Sequence, residues 1–391
     1  MEQTSTVLIV HNYYQIPGGE DTVVANEKEM LERYGHTVIL YTRNNLELKE
    51  FGKKQKLLLP FTTIYNLRTY REIKTLIREK KIDLVHVHNT LNLISPSVYY
   101  AALSMGVPVV QTVHNFRLLC PNALFYRDEH VCEDCISKGL VCAVKHNCYR
   151  GNKLQTLAYV LTMKIHRILK TYAKIDYICL TEFNRQKLLN LKQIKKDRIF
   201  VKPNFVKSIR EFVPKEERAE YLIFAGRLDK LKGVDLLLKA WKKMDRSAPE
   251  LLICGVGPME EWCRDFIEEN NIPARMLGFV SNIEVRNLIA YSKALIFPTQ
   301  CYEGFPMSIV EAFSVGTPVI SSDIGNAGNV VVEGVSGYKF QKDSADSLIA
   351  AVDKLKKMPT LYDSTFKTYR DKYTEPINYT TLMSIYRSVS K

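Results

Sequence analysis

Thr299 to Asp323, TQCYEGFPMSIVEAFSVGTPVISSD, is the stretch whose reading decides the fold. It follows an apolar run, Ala294 to Phe297, that reads as a buried parallel strand, and it closes on a second such run, Pro318 to Ser321. Between the two lie a polar turn, a pair of carboxylates, Glu303 and Glu311, and Pro306 at the expected first position of a helix. Glu303 then belongs to the loop before the helix, and Glu311 stands about five residues inside it, roughly 7–8 Å along the axis. The amides of Phe305 to Ser308 face that loop, where a pyrophosphate can sit. A carboxylate near a helix start is also favoured electrostatically without any function, so the spacing alone leaves both readings open.

The wording of the segment goes further than its spacing. YEGFPMSIVEAFSVGTPVISSD resembles the Glu-x7-Glu segment of the retaining GT-B glycosyltransferases, the family-4-like, group 1 enzymes that use nucleotide-sugars. The resemblance implies an α/β fold of two doubly wound, Rossmann-like domains facing each other across a cleft. It implies that Glu311 bonds the ribose hydroxyls of the donor and that Glu303 approaches the transferred sugar. Gly304, Phe305, Pro306, Met307 and Ser308 fall in the donor-binding turn between them.

A chain of 391 residues has room for two domains, each able to bury a substantial core, and its composition carries no mark of disorder. No apolar run approaches about 18 residues, and Met1 to Thr6 is polar and unlike a signal peptide, so a cytoplasmic location is expected. The net charge of +13 is uneven: residues 1–205 hold 30 Lys+Arg against 18 Asp+Glu. Much of the excess lies between Lys49 and Lys81, where Lys53, Lys54, Lys56, Arg68, Arg71, Lys74 and Arg78 alternate with Leu57, Leu58, Phe61, Ile64, Leu67 and Ile77. Part of this is an amphipathic helix with a basic face, which suits an anionic membrane surface, although an ordinary solvated face explains it equally well. No nucleic-acid motif accompanies the charge, which argues against that partner.

Along the chain, Val7 to Val10 is a strand ending at His11, and a turn with Pro17, Gly18, Gly19 and Glu20 leads to a helix from Thr22 to Arg33 and a strand from His36 to Thr42. The paired glycines offer amides to a phosphate or simply make a tight turn. Strands from Asp83 to His88 and Pro108 to His114 flank a helix, Pro96 to Ser104. The alternation predicts a parallel sheet whose ligands bind at the carboxyl ends of the strands, where His11, His88 and His114 all fall. T-V-H-N at His114 resembles the family's T-x-H-D, whose His lies beside the transferred sugar; Asn115 stands where Asp is common. Gly18 and Gly19 match the family's glycine-rich loop less closely.

Residues 116–150 interrupt the alternation with five cysteines. Cys132 and Cys135 form a C-x2-C pair, and with Cys120 and Cys148 they would supply a closed structural zinc site. Unligated thiols and a redox pair are the competing readings. Similar cysteine insertions occur in a subset of capsule and exopolysaccharide glycosyltransferases, which is why these four are preferred to Cys142. A helix from Leu154 to Thr171, a strand from Tyr177 to Leu180 and a helix from Phe183 to Leu191 complete a first domain, 1–205. The charged stretch Lys207 to Glu220 reads as a linker.

A second series opens with the strand Leu222 to Ala225, the turn G-R-L-D-K-L-K-G and a helix from Val234 to Lys243. A bidentate Arg and a point-charge Lys suit a pyrophosphate, and solvated surface cations are the plain alternative. The order resembles the family's G-R-x4-K-G, whose Arg and Lys bind the donor diphosphate, so Arg227 and Lys232 take that role by resemblance. Phe279 and Val280, at the end of a further strand, match positions that meet the nucleobase. After Asp323 the family usually has Pro-Glu, where this chain has Gly328 and Asn329. Residues 206–365 thus read as a nucleotide-sugar domain and 366–391 as a terminal helix crossing back to the first.

These readings predict a retaining hexosyltransferase, acting without a metal in catalysis, that moves a sugar from UDP or GDP to a hydroxyl of a glycan or polyprenyl-linked acceptor in cell-surface polysaccharide synthesis. A nucleotide-sugar epimerase of the same architecture, or a zinc-containing, membrane-associated binding protein without activity, are the alternatives.

Overall fold

The computed structural model describes residues 4–15, 18–210, 212–244, 248–357 and 361–390; Pro17 lies outside them. The chain divides into two units, residues 1–123, 133–203 and 378–391 forming one and residues 124–132 and 204–377 the other.

The first unit is built on a six-stranded parallel sheet. Its strands are β1 (Thr6–Tyr13), β2 (Thr37–Asn44), β3 (Leu84–Asn89), β4 (Val109–Val113), β7 (Asp176–Cys179) and β8 (Ile199–Val201), in the spatial order β2-β1-β3-β4-β7-β8. The central strands are apolar on both faces because helices cover both, as parallel crossovers require. Val7, Leu8, Ile9, Val10, Val85 and Val87 are all fully buried. The strands β5 (Tyr126–Arg127) and β6 (His130–Val131) form a small antiparallel hairpin in the second unit.

The second unit repeats the plan with β9 (Tyr221–Ala225), β10 (Glu250–Cys254), β11 (Ala274–Gly278), β12 (Ala294–Phe297), β13 (Val319–Ser322) and β14 (Gly337–Phe340), ordered β11-β10-β9-β12-β13-β14. The order reverses between β9 and β12, and such a switch point leaves a crevice at the carboxyl ends of its two strands. Trp241, Leu237 and Leu238 on one face and Ile309, Val310 and Phe313 on the other are wholly buried against this sheet.

The α/β fold with two doubly wound sheets is the one expected from sequence. Several boundaries differ. The helix expected at Thr22 begins at Gly19, and helices Asn282–Tyr291 and Leu361–Lys372 appear where no element was expected. The charged stretch 207–220 is not a free linker. Arg218 is buried, and its guanidinium donates to the carbonyls of Val213, Ala290, Ser292 and Val315 and to Thr317 Oγ1, five acceptors that no solvated linker offers. Burial lowers the Arg218 pKa to about 10. The second unit also extends past residue 365: the helix Leu361–Lys372 belongs to it, and Tyr369 donates to the Val206 carbonyl at 2.9 Å. Residues from Asn378 onward pack in the first unit, where Tyr379 and Tyr386 meet His36 and His86.

Candidate functional site

In the second unit the expected phosphate turn leaves β9 and passes directly over β12. Asp229 Oδ1 accepts from the Lys232 amide at 3.0 Å, capping the 3-10 turn Lys230–Lys232, and Asp229 Oδ2 holds Arg227 Nε at 3.2 Å. Gly233 follows at φ +71, and a Cβ there would stand 1.9 Å from the Pro298 carbonyl oxygen, so only glycine lets the turn lie against the end of β12. The Lys-Gly order thus has a steric cause. Arg227 remains largely exposed, at 67 %, with its guanidinium edge open to a ligand.

The loop after β12 is stitched to this turn. Gln300 donates its amide to the Leu231 carbonyl at 2.8 Å. Glu303 Oε1 accepts from Lys232 Nζ at 2.7 Å and from Thr299 Oγ1 at 2.9 Å. Burial would lower the Lys232 pKa, but the attraction and hydrogen bond of Glu303 together raise it, so the ammonium stays charged. The Lys232 and Glu303 side chains, expected to act on different parts of a donor, are therefore direct partners. Lys232 carries three donors, and Glu303 uses one.

Pro306 is not the first helical residue. With φ −80 and ψ 83 it caps the helix Met307–Phe313 from outside. Of the amides expected to face a pyrophosphate, Pro306 has none and that of Met307 already donates to Phe305 O at 3.0 Å. Glu311 is half-buried within this helix; burial raises its pKa, opposed by the nearby guanidinium of Arg286 from the helix Asn282–Tyr291. Arg286 was missed because its helix is weakly amphipathic and its partner is 25 positions away. Asn326 was missed as well: fully buried, it donates to the carbonyls of Glu303 at 2.5 Å and Gly304 at 2.8 Å, fixing the site loop from the segment where Gly328 and Asn329 replace the expected residues. Phe279 is exposed just past the edge strand β11, while Val280 is partly buried against the core. Ser308 is half-buried in the first turn of the helix.

In the first unit, Gly18 and Gly19 do not form a free phosphate loop. Gly18 is the helix cap, at an ordinary φ of −138, and its amide donates to Asp21 Oδ2 at 3.0 Å. Asp21 Oδ1 meets His11 Nε2 at 2.8 Å. Glu20 stands beside them, its carboxyl pushed up to about 8 by burial against the opposing pull of Arg117.

His114 ends a buried chain of side chains. Its Nε2 lies 2.9 Å from His88 Nδ1, and His88 Nε2 lies 3.4 Å from Glu27 Oε2. Glu27 Oε1 accepts from Lys202 Nζ at 2.6 Å, and Lys202 also donates to Asn378 Oδ1 at 3.0 Å. His86 is engaged on both sides, 2.8 Å from Tyr386 OH and 2.8 Å from Thr112 Oγ1. Burial holds the pKa values of His86, His88 and His114 below the usual histidine range, with the neighbouring imidazoles adding to the effect at His88 and His114. In the tautomer whose Nε2 donates to His88 Nδ1, a neutral His114 keeps Nδ1 as a hydrogen-bond acceptor.

Among the described residues, Glu27, His86 and His88 are the one group of metal-ligating side chains whose atoms converge. They do not suit a cation: Lys202 occupies the carboxylate, and His86 has no uncommitted nitrogen. Cys120, Cys132, Cys135 and Cys148, the expected zinc ligands, are not part of that group. Cys120 donates to Asn122 Oδ1 at 2.9 Å, and Cys135 is buried with Leu140, Ala143, Val160 and Met163.

Residues 17–209 match the family described as Glycosyltransferase Family 4, and residues 205–372 match Glycosyl transferases group 1. The chain belongs to the GT-B, family-4-like glycosyltransferases. It is 27 % identical over 165 residues to an uncharacterized glycosyltransferase of Methanocaldococcus jannaschii, covering 41 % of each chain. With an uncharacterized 41.2 kDa protein in the cps region of Klebsiella pneumoniae it shares 23 % identity over 359 residues, 88 % of this chain and 89 % of that one. The matches to the first curated relatives span only 40–41 % of those proteins. Among solved structures, a glycosyltransferase from Rickettsia africae superposes with TM-score 0.70 at 16 % identity, covering 99 % of both chains. HepE of Anabaena, in complex with UDP, superposes with TM-score 0.66 at 15 % identity over 98 % of this chain and all of that one.

Proposed function

We propose that this glycosyltransferase moves a hexosyl group from a UDP- or GDP-sugar to a hydroxyl of a glycan or polyprenyl-linked acceptor, with retention at the anomeric carbon, in cell-surface polysaccharide synthesis. The observation that carries the reading is the Lys232–Glu303 pair with Arg227 beside it, held at the switch point between β9 and β12. Two cations from one turn meet the charge that grows on a departing diphosphate, and a preformed pair needs little reorganisation to do so. Arg227 engages phosphate oxygens in fork geometry and Lys232 acts as a point charge, oriented by Glu303 and, through it, Thr299. Glu311 accepts from the ribose hydroxyls. The base meets Phe279 and Val280, and Gly304 to Ser308 line the sugar and phosphate. In the first unit, His114 accepts from a sugar hydroxyl through its uncommitted nitrogen.

Because the protein supplies the phosphate countercharge, turnover is expected without a divalent ion, and restoration of EDTA-abolished activity by Mg or Mn would contradict this. The enzyme is placed by this reading in the cytoplasm, peripheral to the inner face of the membrane. Among the described residues no helix is long and apolar enough to cross one. Thermal-shift screening against UDP, GDP, ADP and their sugars tests the assignment. One uridine or guanosine diphosphate should raise the midpoint, a ligand at about 100 times its Kd adding about 2.7 kcal/mol; silence from all of them would contradict the reading. Release of a new sugar nucleotide without acceptor would instead favour an epimerase.

A further inference from the structure

The helix Lys153–Ile168 of the first unit has two apolar faces. Thr156, Val160 and Met163 turn inward and are buried. Leu154, Leu157, Leu161 and Ile168 recur at helical spacing on the opposite side and face solvent, Leu154 at 77 % and Ile168 at 78 % exposure. A helix apolar on both sides is ordinarily covered on both.

The helix packed against it, Lys53–Ile64, is covered still less: Thr63 is its one buried residue, and Leu57 and Phe61 are 75 % and 67 % exposed. A twelve-residue helix with so little tertiary contact is marginal in water by itself.

The charges on these two helices have one sign. Neither helix contains an Asp or Glu, while Lys53, Lys54, Lys56, Lys153 and Lys164 are exposed on them, and among the described residues no carboxylate forms an ion pair with any of the five. Between the helices runs a cavity of about 360 Å³, lined by Leu59, Pro60, Leu154 and Ala158 with the cations Lys56 and Arg150 beside them. A protein partner of ordinary composition, carrying charges of both signs, has no particular reason to match exposed apolar side chains ringed by lysines alone. A bilayer with anionic headgroups over hydrocarbon does, because the leucines enter the boundary layer while the lysine stems reach the phosphates.

We propose that the face formed by the helices Lys53–Ile64 and Lys153–Ile168 seats the protein on an anionic lipid bilayer, the cavity between them receiving the phosphate and adjoining methylenes of one lipid of that bilayer. The proposal extends the peripheral location given above from a compartment to a surface. It stands apart from the donor chemistry, which uses no residue of these helices.

Co-sedimentation with vesicles of phosphatidylglycerol and phosphatidylcholine, beside vesicles of phosphatidylcholine alone, tests it. The full chain should partition onto the anionic vesicles alone. The triple change Lys53→Glu, Lys54→Glu, Lys56→Glu should weaken partition by about 100-fold or more, at about one lipid-facing charge contribution per lysine. Leu157→Glu with Leu161→Glu should weaken it by at least about tenfold even at low salt. Both variants should keep the nucleotide thermal shift of the parent, so failure on vesicles is separable from failure of the transfer reading. The proposal is overturned if the parent ignores anionic vesicles, if both variants bind as the parent does, or if glycerol phosphate in solution displaces the protein. It is also overturned if light scattering shows a dimer that the leucine variant dissociates, since the face would then join two copies of the chain.

Discussion

Two of the protein's lysine–glutamate pairs have nearly equal length and opposite settings. Lys202 and Glu27 meet at 2.6 Å with side chains 0 % and 1 % exposed; Lys232 and Glu303 meet at 2.7 Å with 33 % and 15 % exposed. The first pair is shut into the core of its unit and anchors the histidine chain that ends at His114. The second is open on one side and holds a cation ready for a ligand. Distance alone does not tell a structural ion pair from a functional one; access does. A buried pair punishes removal of one partner, whereas a half-open pair has little to lose in stability and much in chemistry.

That contrast orders the expected effects. Glu27→Ala, leaving the Lys202 ammonium buried without its carboxylate, should destabilise the protein by about 3–5 kcal/mol in urea unfolding. A change of under about 1 kcal/mol would show that Lys202 finds another partner and would erase the distinction. Lys232→Ala should lower kcat by about 10²–10³, equivalent to about 2.7–4 kcal/mol of transition-state stabilisation, with the unfolding midpoint nearly unchanged. A variant that instead unfolds would place this pair with the buried one. Glu311→Ala should mainly weaken donor binding, by about 1–3 kcal/mol for a lost hydrogen bond to the ribose, and leave the chemical step comparatively intact. Equal losses in binding alone from Lys232→Ala and Glu311→Ala would contradict the division of labour.

The most gradual effect is a pH slope confined to the first unit. His86, His88 and His114 have pKa values depressed in the folded state by burial, so the stability they represent is present above the unfolded value near 6.5 and is lost as pH falls below it. Each contributes at most about 1.4 kcal/mol per pH unit. Glu20 has the opposite sign: its carboxyl, raised to about 8, favours folding at low pH and loses that contribution as pH rises through 8. Three histidines outweigh one carboxyl, so urea midpoints should fall between pH 6.5 and 5. A flat profile would mean that the imidazoles are solvated.

The same contrast explains what was legible in the sequence. Arg227, Lys232 and Gly233 lie within one turn, and their order is dictated by a backbone passing under Pro298, so local spacing carries the information. Strand alternation likewise reveals both sheets, because parallel strands are continuous apolar runs. Glu27 and Lys202 are 175 positions apart, and Arg218 finds its carbonyls from residues 213 to 317; nothing local marks either as buried. Helical periodicity marks the apolar residues of Lys153–Ile168 but not which of its two faces is covered. For the cysteines, C-x2-C spacing permits a metal site but does not by itself bring two further thiols to it.

Transfer by this enzyme depends on the second unit gripping a nucleoside diphosphate through the turn after β9. Isothermal titration of UDP and GDP into the parent protein and into a Lys232→Ala, Arg227→Ala double variant measures this directly. One of the two nucleotides should bind the parent, and the double change should weaken it by at least about 100-fold, as loss of two charge-assisted phosphate contacts implies. Equal affinity in both proteins, or no binding of either nucleotide to the parent, would contradict it.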